Sequence, residues 1–294
     1  MLAAIAPGST ESAKGAFLRR NEVPGHLEVR LGAADGAELI NQCCRHLGSS
    51  RLRLLGGQRI QHLLVALARV PEDLRATGLR GEFGVRDALT VGFLANHSEQ
   101  ERAATWHGFD SFKGLPPTST KSRHLGWVEG AFSKGYRGQA LSGELLPRVP
   151  SNVRLHPGWF NESVPLVLDR LISESRQRDL PPPHFAFLHM DADIFESTIS
   201  VLDAVFERCM HRVGTVLAFD ELFGPSAQEA HEFRALKMAA ARWGVRYTFV
   251  SYTLTPASLY ARAAVRVENA STAHCERKRR HKPRATPTGH VGSG

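Results

Sequence analysis

No apolar run in this 294-residue chain approaches the roughly 20 residues that a helical membrane span needs, so a helix-spanning membrane protein is excluded. Cysteine is scarce. Cys43, Cys44, Cys209 and Cys275 show no CxxC spacing and no framework of pairs, which argues against a zinc or redox site. Adjacent Cys43 and Cys44 are expected as small apolar residues on a helix. Fourteen histidines include no HExxH or other paired ligand spacing. The first residues, MLAAIAPGSTESAKG, lack a basic leader followed by an apolar core, and Glu11 argues against an organelle-targeting segment. The expectation is a cytoplasmic protein.

A one-sided charge is also missing, despite a net charge of +8. Arg277, Lys278, Arg279, Arg280, Lys282 and Arg284 stand against Glu276 in the last 24 residues, so most of the excess lies there. That tail is rich in Pro, Gly and Thr without apolar periodicity, and reads as a solvated, disordered segment from 269 to 294. The remaining chain is not basic enough to suggest specific nucleic-acid binding. A homo-oligomer is left open by the sequence.

What the chain does have is alternation. Residues 1–79 read as a helical lead-in or lid, with helices over AELINQCCRHL (38–48) and RIQHLLVALARV (59–70). From residue 80, short strands alternate with helices. The predicted strands are 81–85, 104–109, 152–156, 185–190, 214–219, 247–253 and 258–267, and the predicted helices are 88–96, 162–174, 197–210 and 227–242. This order predicts a doubly wound α/β fold over 80–268: a seven-stranded, mainly parallel sheet with helices on both faces. The last two strands are joined by a short turn, and an antiparallel hairpin at the sheet edge follows. The Gly- and Pro-rich stretch 111–150 reads as a lid or binding loop.

Ligands of such sheets sit at the carboxyl ends of the strands. Here those ends carry Glu82-Phe83-Gly84, Asp110-Ser111, Gly158-Trp159, Asp191-Ala192-Asp193 and Asp220-Glu221, so acids converge on one rim. Asp110 falls at the end of the second strand, one β-α-β unit after Glu82, where an acid can accept hydrogen bonds from both hydroxyls of an adenosine ribose. The three-glycine turn that lets a pyrophosphate approach the backbone is absent, since Arg86, Asp87, Ala88 and Leu89 follow Gly84. NAD and FAD are therefore disfavoured. S-adenosylmethionine has an adenosine, no phosphate and a positive sulfonium, and fits better.

The motifs GEFGV, HGFDSFKGLP, VRLHPGWFNESVP, FLHMDADIFEST and GTVLAFDELFG, with HEFRAL after them, occur in that order between 80 and 267. Together they resemble the class I S-adenosylmethionine-dependent methyltransferases of the macrocin O-methyltransferase type. The resemblance implies that Glu82, Phe83 and Gly84 meet the methionine part of the cofactor and that Asp110, with Ser111 beside it, holds the ribose. It implies that Asp191, Asp220 and Glu221 bind a divalent cation, usually magnesium, with Asp191 acting at the reacting centre. Relatives commonly carry glycine at the position of Ala88 and serine at that of Thr90. The implied reaction transfers a methyl group to a hydroxyl of a small molecule, with vicinal hydroxyls of a sugar or catechol-like ring favoured.

Each of these residues also has a plainer reading. Asp193 fits as the cap of the following helix, because Asp and Glu196 suit a helix N-terminus. Trp159 fits either beside the adenine or in the core. His107 and His189 alternate within apolar strands and read as core histidines. No general base stands out; His124, in the long loop, is the candidate. Two other functions remain: a nucleotide-sugar glycosyltransferase using Asp191-Ala192-Asp193 as its DxD motif, and a decayed cofactor-binding relative without activity.

Overall fold

The computed structural model describes residues 57–117, 128–135, 146–223, 231–254, 261–269 and 274–276. The predicted helix 38–48, His124 and the basic residues from 277 onward lie outside them. Two helices, α1 (Gly57–Ala68) and α2 (Glu72–Thr77), lead into strand β1 (Leu79–Phe83). Then follow α3 (Leu89–Asn96), α4 (Glu99–Ala103), β2 (Trp106–Asp110), β3 (Val153–Pro157), α5 (Phe160–Gln177) and β4 (Phe185–Met190). The chain continues through α6 (Phe195–Glu207), β5 (Val216–Phe223), α7 (Glu232–Trp243), β6 (Tyr247–Leu254) and β7 (Ala261–Val267).

All seven strands join one sheet in the order β3-β2-β1-β4-β5-β7-β6. The first five are parallel, and helices cross over between β1 and β2, β3 and β4, and β4 and β5. β7 inserts antiparallel between β5 and β6, leaving β6 at the edge, as the short turn between the last two strands foretold. The order reverses between β1 and β4, so the carboxyl ends of those strands flank the crevice where ligands of such sheets bind.

Side-chain alternation splits the core into two layers. On one face, Phe83, Leu188, Met190, Leu217 and Phe219 pack with Val164 and Leu168 of α5, Val201 and Val205 of α6, and Leu236 of α7. On the other, Phe187, Val216, Ala218 and Ala264 pack with Ile60, Leu63 and Leu67 of α1 and Val91 and Leu94 of α3. Burial of each of these valine, leucine, isoleucine, methionine and phenylalanine side chains stabilises by about 1.5–3 kcal/mol.

Two helices were not read from sequence, because both are short. α4 has five residues and is held by its Ser98 cap, which accepts from the Glu101 amide. The cysteine reading needs correction. Cys209, just after α6, and Cys275 form a disulfide across 66 residues of sequence. Cys275 is fully buried, and His274 packs on Trp243 with ring centroids 5.0 Å apart. Residues 274–276 are therefore docked on α6 and α7. No helix among the described residues is long and apolar enough to cross a membrane.

Candidate active site

A cavity of about 550 Å³ opens at the carboxyl ends of β1, β2, β4 and β5, a size typical of small-molecule sites. Gly84, Asp110, Ser111, Trp159, Asp191, Asp220 and Glu221 all line it, so the strand-end acids anticipated from sequence do converge.

Gly84 fixes the floor. Its φ is +101°, and a Cβ there would stand 1.9 Å from the carbonyl oxygen of Asp191. The Gly84 amide donates to the Phe109 carbonyl, and the Asp191 amide donates to the Phe83 carbonyl, both at 2.9 Å. Only glycine allows β1 to lie this close to the turn after β4 while adopting a left-handed backbone.

Asp110 is oriented by main-chain donors. The Arg86 amide donates to its Oδ2 at 2.7 Å and the Phe112 amide to its Oδ1 at 2.6 Å. Burial raises its pKa, an effect these amides oppose. Ser111 is tied into the adjoining turn, where its hydroxyl donates to the Gly114 carbonyl at 2.8 Å. Trp159 forms the cap position of α5, on the cavity wall. Ala88, at the head of α3, has φ +62°. A left-handed position is where glycine is at ease and alanine strained, which gives a physical reason for glycine there in relatives.

Glu82 and Phe83 behave differently from expectation: neither lines the cavity. The Phe83 ring points into the core, stacked on Phe109 at 4.9 Å between centroids, because alternation along β1 turns it from the rim. Glu82 is buried behind the wall, with Oε1 2.9 Å from Nδ1 of His189. Burial pushes the Glu82 carboxyl well up and the His189 imidazole well down, which favours a neutral pair. Oε2 of Glu82 has no hydrogen-bond partner among the described residues. His107, also read as a core histidine, is fully buried, its Nδ1 2.9 Å from Nε2 of His156.

The far side of the cavity is a cluster of carboxylates. Asp191, Asp220 and Glu221 each offer an oxygen, and these lie within 4.8 Å of one another. Glu232 of α7 stands behind them, accepting from the amides of Glu221 at 3.2 Å and Ala192 at 3.4 Å. Asp193 faces the same cavity. It does not cap α6 as expected: the cap position is Ile194, without a side-chain cap bond, and Asp193 takes φ +59°.

Two arginines answer this charge, neither singled out from sequence. Arg59 of α1 ion-pairs with Asp191 through Nη2 and approaches Oδ1 of Asp220 with Nε at 3.2 Å. Arg262 of β7 donates from Nε to the same Asp220 oxygen at 2.8 Å. Desolvation pushes Asp220 upward, but both arginines outweigh it and hold the carboxyl well below the usual range. Asp191 is pushed up to about 6, by burial against the opposing pull of Arg59. Burial and mutual repulsion raise Asp193, Glu221 and Glu232 well above ordinary carboxylates. Arg59 carried no warning in sequence because it belongs to a helix outside the strand-end motifs.

The cluster's donor set fits a hard divalent cation. Its ligands are all oxygens, acids outnumber arginines, and Oε2 of Glu221 is buried without a partner among the described residues. The cavity likewise suits the expected methyl donor on chemical grounds. It holds a carboxylate, Asp110, oriented by two main-chain amides at the end of β2, and a glycine floor at the end of β1.

No curated protein matches the chain. Among solved structures, CalS11, a calicheamicin methyltransferase, is 21% identical, covering 84% of this chain and 98% of that one, with a TM-score of 0.47. The O-methyltransferase NovP is 19% identical, covering 73% and 80%, with a TM-score of 0.49. TomG from Streptomyces achromogenes, an O-methyltransferase involved in tomaymycin synthesis and solved with S-adenosylmethionine, is 17% identical, covering 88% and 96%, at 0.40. The macrocin O-methyltransferase (TylF) family profile matches residues 41–242, more than two thirds of the chain, and does not favour a glycosyltransferase. The chain therefore belongs to the macrocin O-methyltransferase (TylF) family, the S-adenosylmethionine-dependent O-methyltransferases of this type.

Proposed function

We propose that this cavity takes S-adenosylmethionine against Asp110 and Gly84 and places a small-molecule hydroxyl beside Asp191, Asp220 and Glu221. The observation that carries the reading is that a carboxylate preset by two main-chain amides shares one cavity with the acid cluster. When bound, the cofactor supplies an activated methyl group, and a divalent ion such as magnesium lowers the pKa of an acceptor hydroxyl.

The chain's own residues do the aligning. Asp110 accepts hydrogen bonds from the ribose hydroxyls, and Trp159 offers a flat apolar face to the base. Asp191, Asp220 and Glu221 would hold the ion, which when bound would help to fix the acceptor hydroxyl beside the cofactor. Leu115, Pro116, Pro117 and Phe132 close the cavity with apolar surface and exclude water from the transfer. A vicinal diol of a sugar or natural-product ring is the acceptor that an oxygen-ligated ion at this site would favour.

Calorimetry with S-adenosylmethionine and its demethylated product tests the first half. Asp110→Ala removes two hydrogen bonds to a charged acceptor, each worth roughly 1.5–3 kcal/mol, so binding should weaken at least tenfold. Equal affinity in wild type and variant would refute the role of Asp110. Methyl transfer that persists at full rate in chelator would refute the metal.

A further inference from the structure

Arg59 occupies an unusual place for a buried arginine. It sits in the first turn of α1, 8% exposed, where Ile60 and Leu63 anchor the helix in the core beneath the sheet. Its guanidinium bridges Asp191 and Asp220, two of the three acids whose oxygens come within 4.8 Å of one another. Arginine is charged at every accessible pH, so this is a permanent cation inside the acid cluster. A divalent ion drawing oxygens from Asp191, Asp220 and Glu221 would lie at roughly 2.1–2.5 Å from each of them, and therefore within a few ångströms of the guanidinium. Like charges at that distance in a partly buried site repel strongly. Arg59 and the ion also draw on the same carboxylates.

We propose that Arg59 is a tethered cation that competes with the divalent ion for Asp191 and Asp220, and so sets how tightly the site takes metal. The proposal rests on the reading of the acid cluster as a metal site. In the metal-free protein, Arg59 and Arg262 relieve part of the repulsion among Asp191, Asp193, Asp220, Glu221 and Glu232, which keeps the cluster intact. Metal entry obliges the guanidinium to withdraw along the cavity wall. The metal affinity of this chain is then the difference between two cations rather than the intrinsic strength of three carboxylates. The seating of α1 enters that difference, because α1 holds Arg59 in place.

The test is titration of the full chain with Mn2+, reading the free ion by electron paramagnetic resonance, with and without saturating S-adenosylhomocysteine. Arg59→Gln should bind Mn2+ at least tenfold more tightly than wild type. Arg59→Lys, which keeps the charge but loses the fork, should fall between them and decides the matter if the glutamine variant does not fold. Low-millimolar guanidinium should weaken Mn2+ binding by Arg59→Ala and leave wild type unchanged. Equal or weaker Mn2+ binding by Arg59→Gln or Arg59→Lys overturns the proposal, because Arg59 would then be holding the ligands in place for the ion. Absence of Mn2+ binding in every variant overturns it together with the metal site, while intact S-adenosylhomocysteine binding keeps the cofactor reading. If wild type fails to bind S-adenosylhomocysteine, the cofactor reading fails, and the Mn2+ comparison still decides the role of Arg59.

Discussion

Arg80, at the amino end of β1, and Arg59, among the acids that follow β4, are both buried, yet they face opposite balances of charge. Arg80 is fully buried and held by four hydrogen bonds. Its Nε and Nη2 reach the two oxygens of Glu101 at 2.9 and 3.3 Å, Nη1 donates to the Gly78 carbonyl and Nη2 also donates to the Arg75 carbonyl. Arg75 adds a second cation to the same Glu101. At the base of the sheet, then, one carboxylate serves two arginines, and nothing is left over for a ligand. At the rim, Arg59 and Arg262 pair with Asp191 and Asp220, and three further carboxyl groups, Asp193, Glu221 and Glu232, crowd beside them with raised pKa values. The same residue type saturates the acid at one end of the sheet and leaves carboxyl groups crowded at the other, the difference on which the proposed metal site rests.

The sharpest way to break this comparison is to remove one carboxylate from each end. Glu101→Gln leaves Arg80 buried with its charge uncompensated, which should cost about 3–5 kcal/mol of stability. Asp220→Asn at the rim should cost less than half as much, because Arg59 retains Asp191 and neighbouring acids are relieved of repulsion. Denaturant unfolding of both variants measures the difference. Equal losses would mean that the rim charges are as structurally committed as those at the base.

The base is also closed covalently. Cys209 follows α6, and the next residue, Met210, accepts from the Phe185 amide at the start of β4, so the disulfide to Cys275 lies at the base. Reduction, or paired substitution by serine, should lower stability by about 2–4 kcal/mol. Cofactor binding at the distant rim should not change. A calorimetric shift in S-adenosylhomocysteine affinity on reduction would show that base and rim are not independent.

Most of this architecture was legible in the chain. Strands such as FAFLHM and GTVLAF are continuous apolar runs of the right length, and the carboxylates that end them fall on one rim by the rule for parallel sheets. Asp110, Asp191, Asp220 and Glu221 were found by that rule. What stayed hidden depends on tertiary placement. The cation for Asp191 comes 132 residues earlier in the chain, and the partner of Cys209 comes 66 residues later. Neither separation carries a local signal. Asp193 shows the reverse error: a residue type good at capping was read as a cap, although its left-handed backbone starts the helix one residue later. Glu82 and Phe83 were placed in the site with Gly84, but the two-residue period of β1 sends Phe83 into the core under α5 and α6 and Glu82 to the opposite face against His189, and neither lines the cavity.

The mildest effect is expected with pH, and it separates the sheet interior from the rim. Burial, aided by the charges of His156, Arg154 and Arg170, lowers His107 to about 3. An unfolded histidine titrates near 6.5. Above that value His107 is neutral in both states and costs nothing. As pH falls below it, the unfolded chain takes a proton that the folded one refuses, so stability is lost progressively down to the folded pKa. At pH 5 this single group should have removed about 2 kcal/mol relative to pH 7. The raised carboxylates Glu221 and Glu232 act in the opposite sense, since the folded state binds their protons more tightly and gains stability as pH falls towards the usual carboxylate range. Wild-type stability between pH 7 and 5 is thus a difference between interior and rim. Several buried histidines, among them His62, His156 and His189, are lowered in the same way. His107→Gln removes one share of the interior part, and its loss of stability over that interval should be about 2 kcal/mol smaller than that of wild type. Urea unfolding of both proteins at pH 7 and pH 5 measures this directly. Parallel pH profiles would mean that His107 already carries its proton in the folded state, and that the ring pair with His156 is not neutral.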